Sequence, residues 1–221
     1  MLLVKPTTNP TVDAELKANV DLASINKVVP LEKGDELKGN LTADIRMKGA
    51  MSDIEAQRYE KFTADGKLIL LDMAYKSDSL PIPVGINSLY FEFSPQFLAL
   101  TSFDGTVGSS SIQAKGRMDN YLQWWLKDST LVGTFDMTAD KFDMNELMGP
   151  ETATTEGAPA DTSSMSVIEV PSNINFRMGM AVKEVIYDEM HLTNVKGGMH
   201  IHDSRVDLKD VFFNLFEGSV N

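Results

Sequence analysis

Cysteine is missing from all 221 residues, which excludes disulfides, thiolate nucleophiles and Cys-ligated zinc or iron–sulfur centres, and is compatible with an oxidising compartment. No run of about 18 apolar residues occurs, so no spanning helix is readable. The opening Met1-Leu2-Leu3-Val4-Lys5-Pro6 is too soon interrupted to be a signal peptide. Basic clusters are absent too: 20 Lys and Arg stand against 32 Asp and Glu, a formal net charge of -12. Phosphate binding needs clustered cations, so a nucleic-acid surface is disfavoured, as is electrostatic adhesion to anionic headgroups. Neither phosphate-cradling glycine signature nor a Gly-x-Ser-x-Gly frame is present.

What is there is alternation. The chain is 43% hydrophobic and 24% charged, enough for one domain or two closely joined ones with a real core. From Leu37, residues Leu41, Ala43, Ile45 and Met47 fall on one face of a strand and Lys38, Asn40, Thr42, Asp44, Arg46 and Lys48 on the other. After Gly49, Ser52-Asp53-Ile54-Glu55 has capping-box spacing and predicts a short helix to about Phe62. Strand patterns then recur over residues 66–75, 88–93, 97–103, 110–118, 130–139, 173–187, 190–202, 205–208 and 211–216, punctuated by Gly, Asp, Asn, Ser and Pro. Pro81 and Pro83 lack amide hydrogens and mark an edge, bulge or connection. Further short helices are predicted around residues 119–126 and 143–148.

The expected fold is therefore mainly β: an antiparallel meander forming a curled sheet or groove, or two packed sheets, with two or three short helices. Residues 1–148 form a β-meander with short helices. Residues 149–166, small, polar and proline-containing, form a disordered linker loop, because they cannot bury enough apolar area to order themselves. Residues 167–221 continue the same sheet. A short internal match pairs Phe91-Glu92-Phe93-Ser94 and Gly108-Ser109 with Ile201-His202-Asp203-Ser204 and Gly218-Ser219. The pattern still alternates at Glu217-Gly218-Ser219-Val220-Asn221, so the chain reads as a piece of a longer protein whose flanks could hold a targeting or membrane segment.

Chemistry-bearing constellations are sparse. His200 and His202 alternate on one strand and point the same way, and His191 on a neighbouring strand would make a conceivable metal site; a zinc site needs at least three placed ligands, and polar-face histidines are the ordinary reading, so no metal and no cofactor is assigned. Ser109-Ser110-Ser111 lacks a base partner, and Asp136, Asp140, Asp143 and Glu146 read as a solvated face, so no catalytic residue is assigned. Trp124-Trp125 with Tyr121 packs under the sheet end or forms an amphipathic edge, and adjacent helix residues cannot both face one core.

The informative feature is a row of apolar residues that lines either a groove or a sealed sandwich core: Leu89, Phe91, Phe93, Phe97, Phe103, Phe135, Met137, Ile174, Phe176, Met178, Met180, Met199, Ile201 and Phe213. Thirteen methionines suit a surface that repacks around flexible chains, and suit an ordinary core almost as well. About a dozen strands at about 4.8 Å would span about 55 Å, against about 30 Å for a bilayer hydrocarbon core.

Leu37-Lys38-Gly39-Asn40-Leu41, Met51-Ser52-Asp53-Ile54-Glu55-Ala56-Gln57-Arg58-Tyr59 and Thr63-Ala64-Asp65-Gly66-Lys67-Leu68 resemble AsmA-like proteins, especially those of Bacteroides-type bacteria. So do Val170-Pro171-Ser172-Asn173-Ile174-Asn175-Phe176, Leu192-Thr193-Asn194-Val195-Lys196-Gly197 and Phe216-Glu217-Gly218-Ser219-Val220. The likeness covers roughly residues 35–221 apart from the loop, and departs at Glu217 and at Asp203-Ser204, where Gly and Asp-Gly are more usual. It implies the periplasmic region of an inner-membrane-anchored cell-envelope protein, its anchor outside this stretch, acting without catalysis in outer-membrane biogenesis. It further implies a β-groove related to bridge-like lipid-transfer proteins, with phospholipid or another envelope lipid as cargo and the remainder of the full-length protein and envelope proteins as partners. The alternative is a structural β-sandwich module that assists outer-membrane protein assembly through exposed strand edges.

Overall fold

A computed structural model describes residues 3–5, 9–27, 35–59, 61–77, 82–148, 170–215 and 218–220. Twelve strands form one sheet in strict chain order: β1 (Leu3–Lys5), β2 (Thr11–Asp21), β3 (Glu36–Ala50), β4 (Thr63–Lys76), β5 (Val84–Phe93), β6 (Phe97–Val107), β7 (Ser110–Asp119), β8 (Leu131–Asp143), β9 (Ile174–Tyr187), β10 (Met190–His202), β11 (Arg205–Leu215) and β12 (Gly218–Val220). The protein is thus mainly β, a single open, curled sheet rather than two packed ones. Three short helices interrupt it: α1 (Met51–Glu55), α2 (Tyr121–Lys127) and α3 (Met144–Met148), with a 3-10 helix at Leu22–Lys27.

Several expectations are revised. Neighbouring strands pair antiparallel except β8 and β9, which are parallel with Leu131 opposite Ile174 and Ala139 opposite Val182. A parallel pair needs a long crossover; the predicted linker loop lies between Asp143 and Ile174, outside the described residues. Alternation reads the same in either strand direction, so sequence alone could not choose. The strand over Thr11–Asp21 was not foreseen, although Val12, Ala14, Leu16, Ala18 and Val20 alternate as cleanly as β3, which they pair. The expected helix to Phe62 stops at Glu55.

The two short strands expected around Lys209-Asp210 are one strand, β11, with Asp210 at φ 50° and the register of β10 against it slipping nearby. Such a left-handed residue is a bulge device: the ladder skips, the side-chain parity flips, and pairing resumes. The same happens where β3 meets β4. Gly39 (φ 124°) and Asp72 (φ 50°) mark a register shift between Lys38 and Asn40. A Cβ on Gly39 would sit 2.7 Å from the Met73 Cα, so only glycine fits. Asp203 (φ 49°) and Ser204 (φ 59°) form a two-residue turn closing His202 onto Arg205, the doubly left-handed geometry that favours Asn-Gly or Asp-Gly.

Candidate functional site

Residues directly opposite each other on a ladder share a face of the sheet, so the registers trace that face across the molecule. From β2 the line runs Leu16, Ile45, Gly66, Phe93, Leu98, Met118, Gly133, Phe176, Ile201 and Val206. A second line runs Ala18, Ala43, Leu68, Phe91, Leu100, Gly116, Phe135, Met178, Met199 and Leu208. Leu89, Phe103, Met137, Met180 and Ile174 join them through Leu70, Ala114, Gly197 and Leu131. Phe213 packs on the cluster of Ala139, Val182 and Val195 on the same side. Apolar residues expected to line a groove therefore do share one continuous face.

Phe97 is the exception. Phe93 is paired with Leu98, and a register shift between Leu100 and Phe103 inverts the parity of β6, so Leu98, Leu100 and Phe103 share the apolar face while Phe97 points to the other. There the Arg117 guanidinium stacks 3.9 Å from the Phe97 ring centroid. The six-residue spacing from Phe97 to Phe103 would put both on one face of a regular strand, and nothing in the sequence announces the bulge. Leu98 and Leu100 are the lining residues that reading missed.

The apolar face is half-open. Buried hydrophobics among the described residues are few and include Ala43, Ala64, Ala99 and Ala139, and the largest fully buried side chains are the polar Gln123 and Ser110. Leu16, Met47, Met180, Val206 and Leu208 on this face are exposed, Leu208 to 70%, and most of its Phe and Met side chains are partly exposed. Of the two buried clusters, the one around Ala139, Val182 and Val195 is made by neighbouring strands, whereas the one around Ile54, Phe62 and Ala64 is packed by α2 as well. Contiguous apolar surface on this scale is rare on a monomer unless something binds it. Glycines flatten the face. The space a Cβ would take on Gly66, Gly116 and Gly133 is filled by the rings of their direct ladder partners Phe93, Phe135 and Phe176, so those rings lie down across the sheet instead of standing off it.

One end of this face carries a cap. Helices α1 and α2 follow β3 and β7, four strand spacings or roughly 19 Å apart, yet they touch, and Leu122 and Leu126 pack with Val12, Met51, Ile54, Phe62 and Ala64. The sheet end is curled toward its apolar side. The joint is polar: Gln123, 1% exposed, donates through Nε2 to the Ile54 carbonyl (3.2 Å) and the Tyr59 hydroxyl (2.8 Å) and accepts from Gln57 Nε2 (3.1 Å). Burial, then the nearby Tyr59, pushes the Tyr121 hydroxyl pKa up. The tandem tryptophans divide as adjacent helix positions must: Trp124 has its indole nitrogen buried, whereas Trp125 is 72% exposed. No pattern in the sequence flagged Gln123.

The opposite face is mostly polar and stitched by exposed cross-strand ion pairs, among them Arg46–Glu15 (3.3 Å), Lys48–Asp13 (3.1 Å), Lys67–Glu92 (3.2 Å) and Lys183–Asp140 (2.6 Å), which solvent screens, so they add little to stability. Asp136 lies 3.9 Å from Lys115 on this face, whereas Asp143, in step with Met137 and Ala139, is largely buried on the other side, 3.1 Å from Lys141, and is not part of a solvated face. In the serine run, Ser110 is fully buried and its Oγ accepts from the Asp143 amide (3.0 Å), while the Ser109 amide donates to Glu146 (2.7 Å); these contacts fasten α3 to the β6–β7 turn. His191 is on the same strand as His200 and His202, at its other end, paired with Glu184 at 2.8 Å. The strand read over residues 190–202 therefore holds all three histidines, and His191 is not on a neighbouring strand facing the other two.

No family model, no curated protein and no solved structure matches the chain.

Proposed function

We propose that this chain is a periplasmic segment of an AsmA-like envelope protein and that its apolar sheet face shields the acyl chains of phospholipid or another envelope lipid during passage between membranes, by contact and without covalent chemistry. The observation that carries this reading is the one-sided sheet: ten strands in register contribute apolar residues to one face and mainly polar and charged residues, with Ile69, Leu71, Tyr90 and Phe97 among them, to the other, and the described residues place no second layer over the apolar side beyond the α1–α2 cap. A net charge of -12 accords with recognition of the lipid by its tails. Anchoring at the inner membrane and a role in outer-membrane biogenesis rest on the resemblance in residues 35–221.

The test is native mass spectrometry of detergent-free protein, with lipid extraction of the same sample. Near-stoichiometric phospholipid supports the reading. Lipid-free protein that also fails to bind a lipophilic probe refutes it and favours the interaction module. That second reading has its own observation: β1 covers only Thr11–Asp13 of β2, and β12 only Phe213–Leu215 of β11, leaving long stretches of both outer strands without a ladder partner among the described residues. Free edges can pair with another chain.

A further inference from the structure

On the polar face, far from the α1–α2 cap in strand order, the β10–β11 hairpin gathers donor atoms. His200 and His202 project from the same side of β10, and the tight Asp203-Ser204 turn brings β11 back so that Asp207 lies opposite His200, while Asn175 of β9 lies opposite His202. The two imidazole centroids are 4.0 Å apart. Nε2 of His202 is 2.8 Å from Asp207 Oδ2, its Nδ1 is 2.8 Å from Asp203 Oδ2, and Nε2 of His200 is 2.9 Å from Asn175 Oδ1. One ligating atom each from His200, His202 and Asp207 can be chosen so that all lie within 4.8 Å of one another.

We propose that His200, His202 and Asp207 bind a divalent transition-metal ion of the Zn2+ class, through two imidazole nitrogens and one carboxylate oxygen, and that the ion fastens β10 to β11 at the margin of the sheet. The donor set selects the class: imidazole with carboxylate suits zinc, cobalt, nickel and copper, whereas magnesium and calcium want oxygen alone. Bond lengths of about 2.0–2.1 Å put tetrahedral ligands about 3.3 Å apart. The three side chains, all partly exposed, close that gap by side-chain rotation.

Imidazole must be neutral to ligate, so an ion displaces a proton from any ring that is charged, and affinity rises with pH, by up to about tenfold per unit while one proton is released. The charged groups that face the two rings are Asp203, Asp207, Arg177, Arg205 and Lys209.

The experiment titrates tag-free full chain with Co2+, read by its visible absorption, and with Zn2+ by calorimetry at pH 6 and pH 8. The expected result is one ion per chain, tighter at pH 8, unaffected by millimolar Mg2+, and weakened at least about tenfold by His200→Ala, His202→Ala or Asp207→Asn. His191→Ala, at the far end of β10, leaves it unchanged. Absence of a cobalt spectrum with wild type, or equal binding by the folded His200→Ala/His202→Ala double variant, overturns the site. Binding with no zinc-dependent rise in Tm, or an equal rise in the double variant, overturns the fastening role.

Discussion

Placing a carboxylate at Phe91 separates the groove reading from a mere preference for apolar residues. Phe91 lies between Leu68 and Leu100 on the apolar face, while its chain neighbour Tyr90, 40% exposed, points to the polar one. Strands about 4.8 Å apart, with same-face residues about 6.8 Å apart along the strand, give each residue a footprint of about 33 Å². An acyl chain lying on that footprint removes about 65 Å² of apolar area from water, counting both surfaces, or about 1.6 kcal/mol at about 25 cal/mol/Å². Phe91→Asp forfeits this and also sets a charge against hydrocarbon, so lipid affinity should fall by more than about 15-fold. The fold should survive: a half-buried Phe contributes about 1 kcal/mol and the strand-propensity change at most about 1 more, against a usual total of about 5–15. The assay is displacement of a fluorescent fatty-acid probe, with circular dichroism checking the fold. Tyr90→Asp and Phe97→Asp, both on the other face, should bind as wild type. Unchanged binding in folded Phe91→Asp, or an equal loss in Tyr90→Asp, would refute the assignment of the faces.

Gly39→Ala should cost about 3 kcal/mol or more in urea unfolding, because its φ of 124° and a 2.7 Å approach to the Met73 backbone leave a methyl nowhere to go; a loss under about 1 kcal/mol would mean that the bulge is not rigid. Gln123→Leu keeps the volume and leaves the Ile54 carbonyl its Gln57 backbone donor, but it removes the partners of the Tyr59 hydroxyl and the Gln57 side-chain amide, an expected loss of about 1–2 kcal/mol, and unfolding of the cap at wild-type denaturant would count against the joint. In the metal-free protein, the pairs of His202 with Asp203 and Asp207 should contribute stability fully below the ordinary imidazole pKa of 6.5, lost as pH rises through the raised pKa of His202; on the acid side that contribution disappears as pH falls through the carboxylate pKa values, held below 3.8 by His202. Proton NMR should show His202 titrating above 6.5 and His200 below it, and the reverse order would undo the assignment.

The strand periods were legible because a pleated strand repeats every two residues: the alternations from Leu37 to Met47 and from Ile174 to Val182 are on the page before any folding. The three short helices could be read too, since each interrupts the alternation, although α1 forms without the side-chain cap that Ser52-Asp53-Ile54-Glu55 suggested. What stayed hidden was wherever parity or direction changes without a compositional mark. A bulge at Thr101-Ser102 turns Phe97 away and brings in Leu98 and Leu100. The left-handed Asp210 keeps β11 whole, and β8 accepts β9 in parallel across a long connection.

The sequence by itself determined that this is a chain of amphipathic strands with a greasy and a wet side, because side-chain alternation is a local consequence of the extended backbone. Only the tertiary structure decided that all those sides align into one sheet, that α1 and α2 meet over its end through Gln123, and that Asp207, rather than His191, joins His200 and His202. Each of those is a matter of register between segments distant in the chain, and register is set by which strands pair and where they slip, which no single segment encodes.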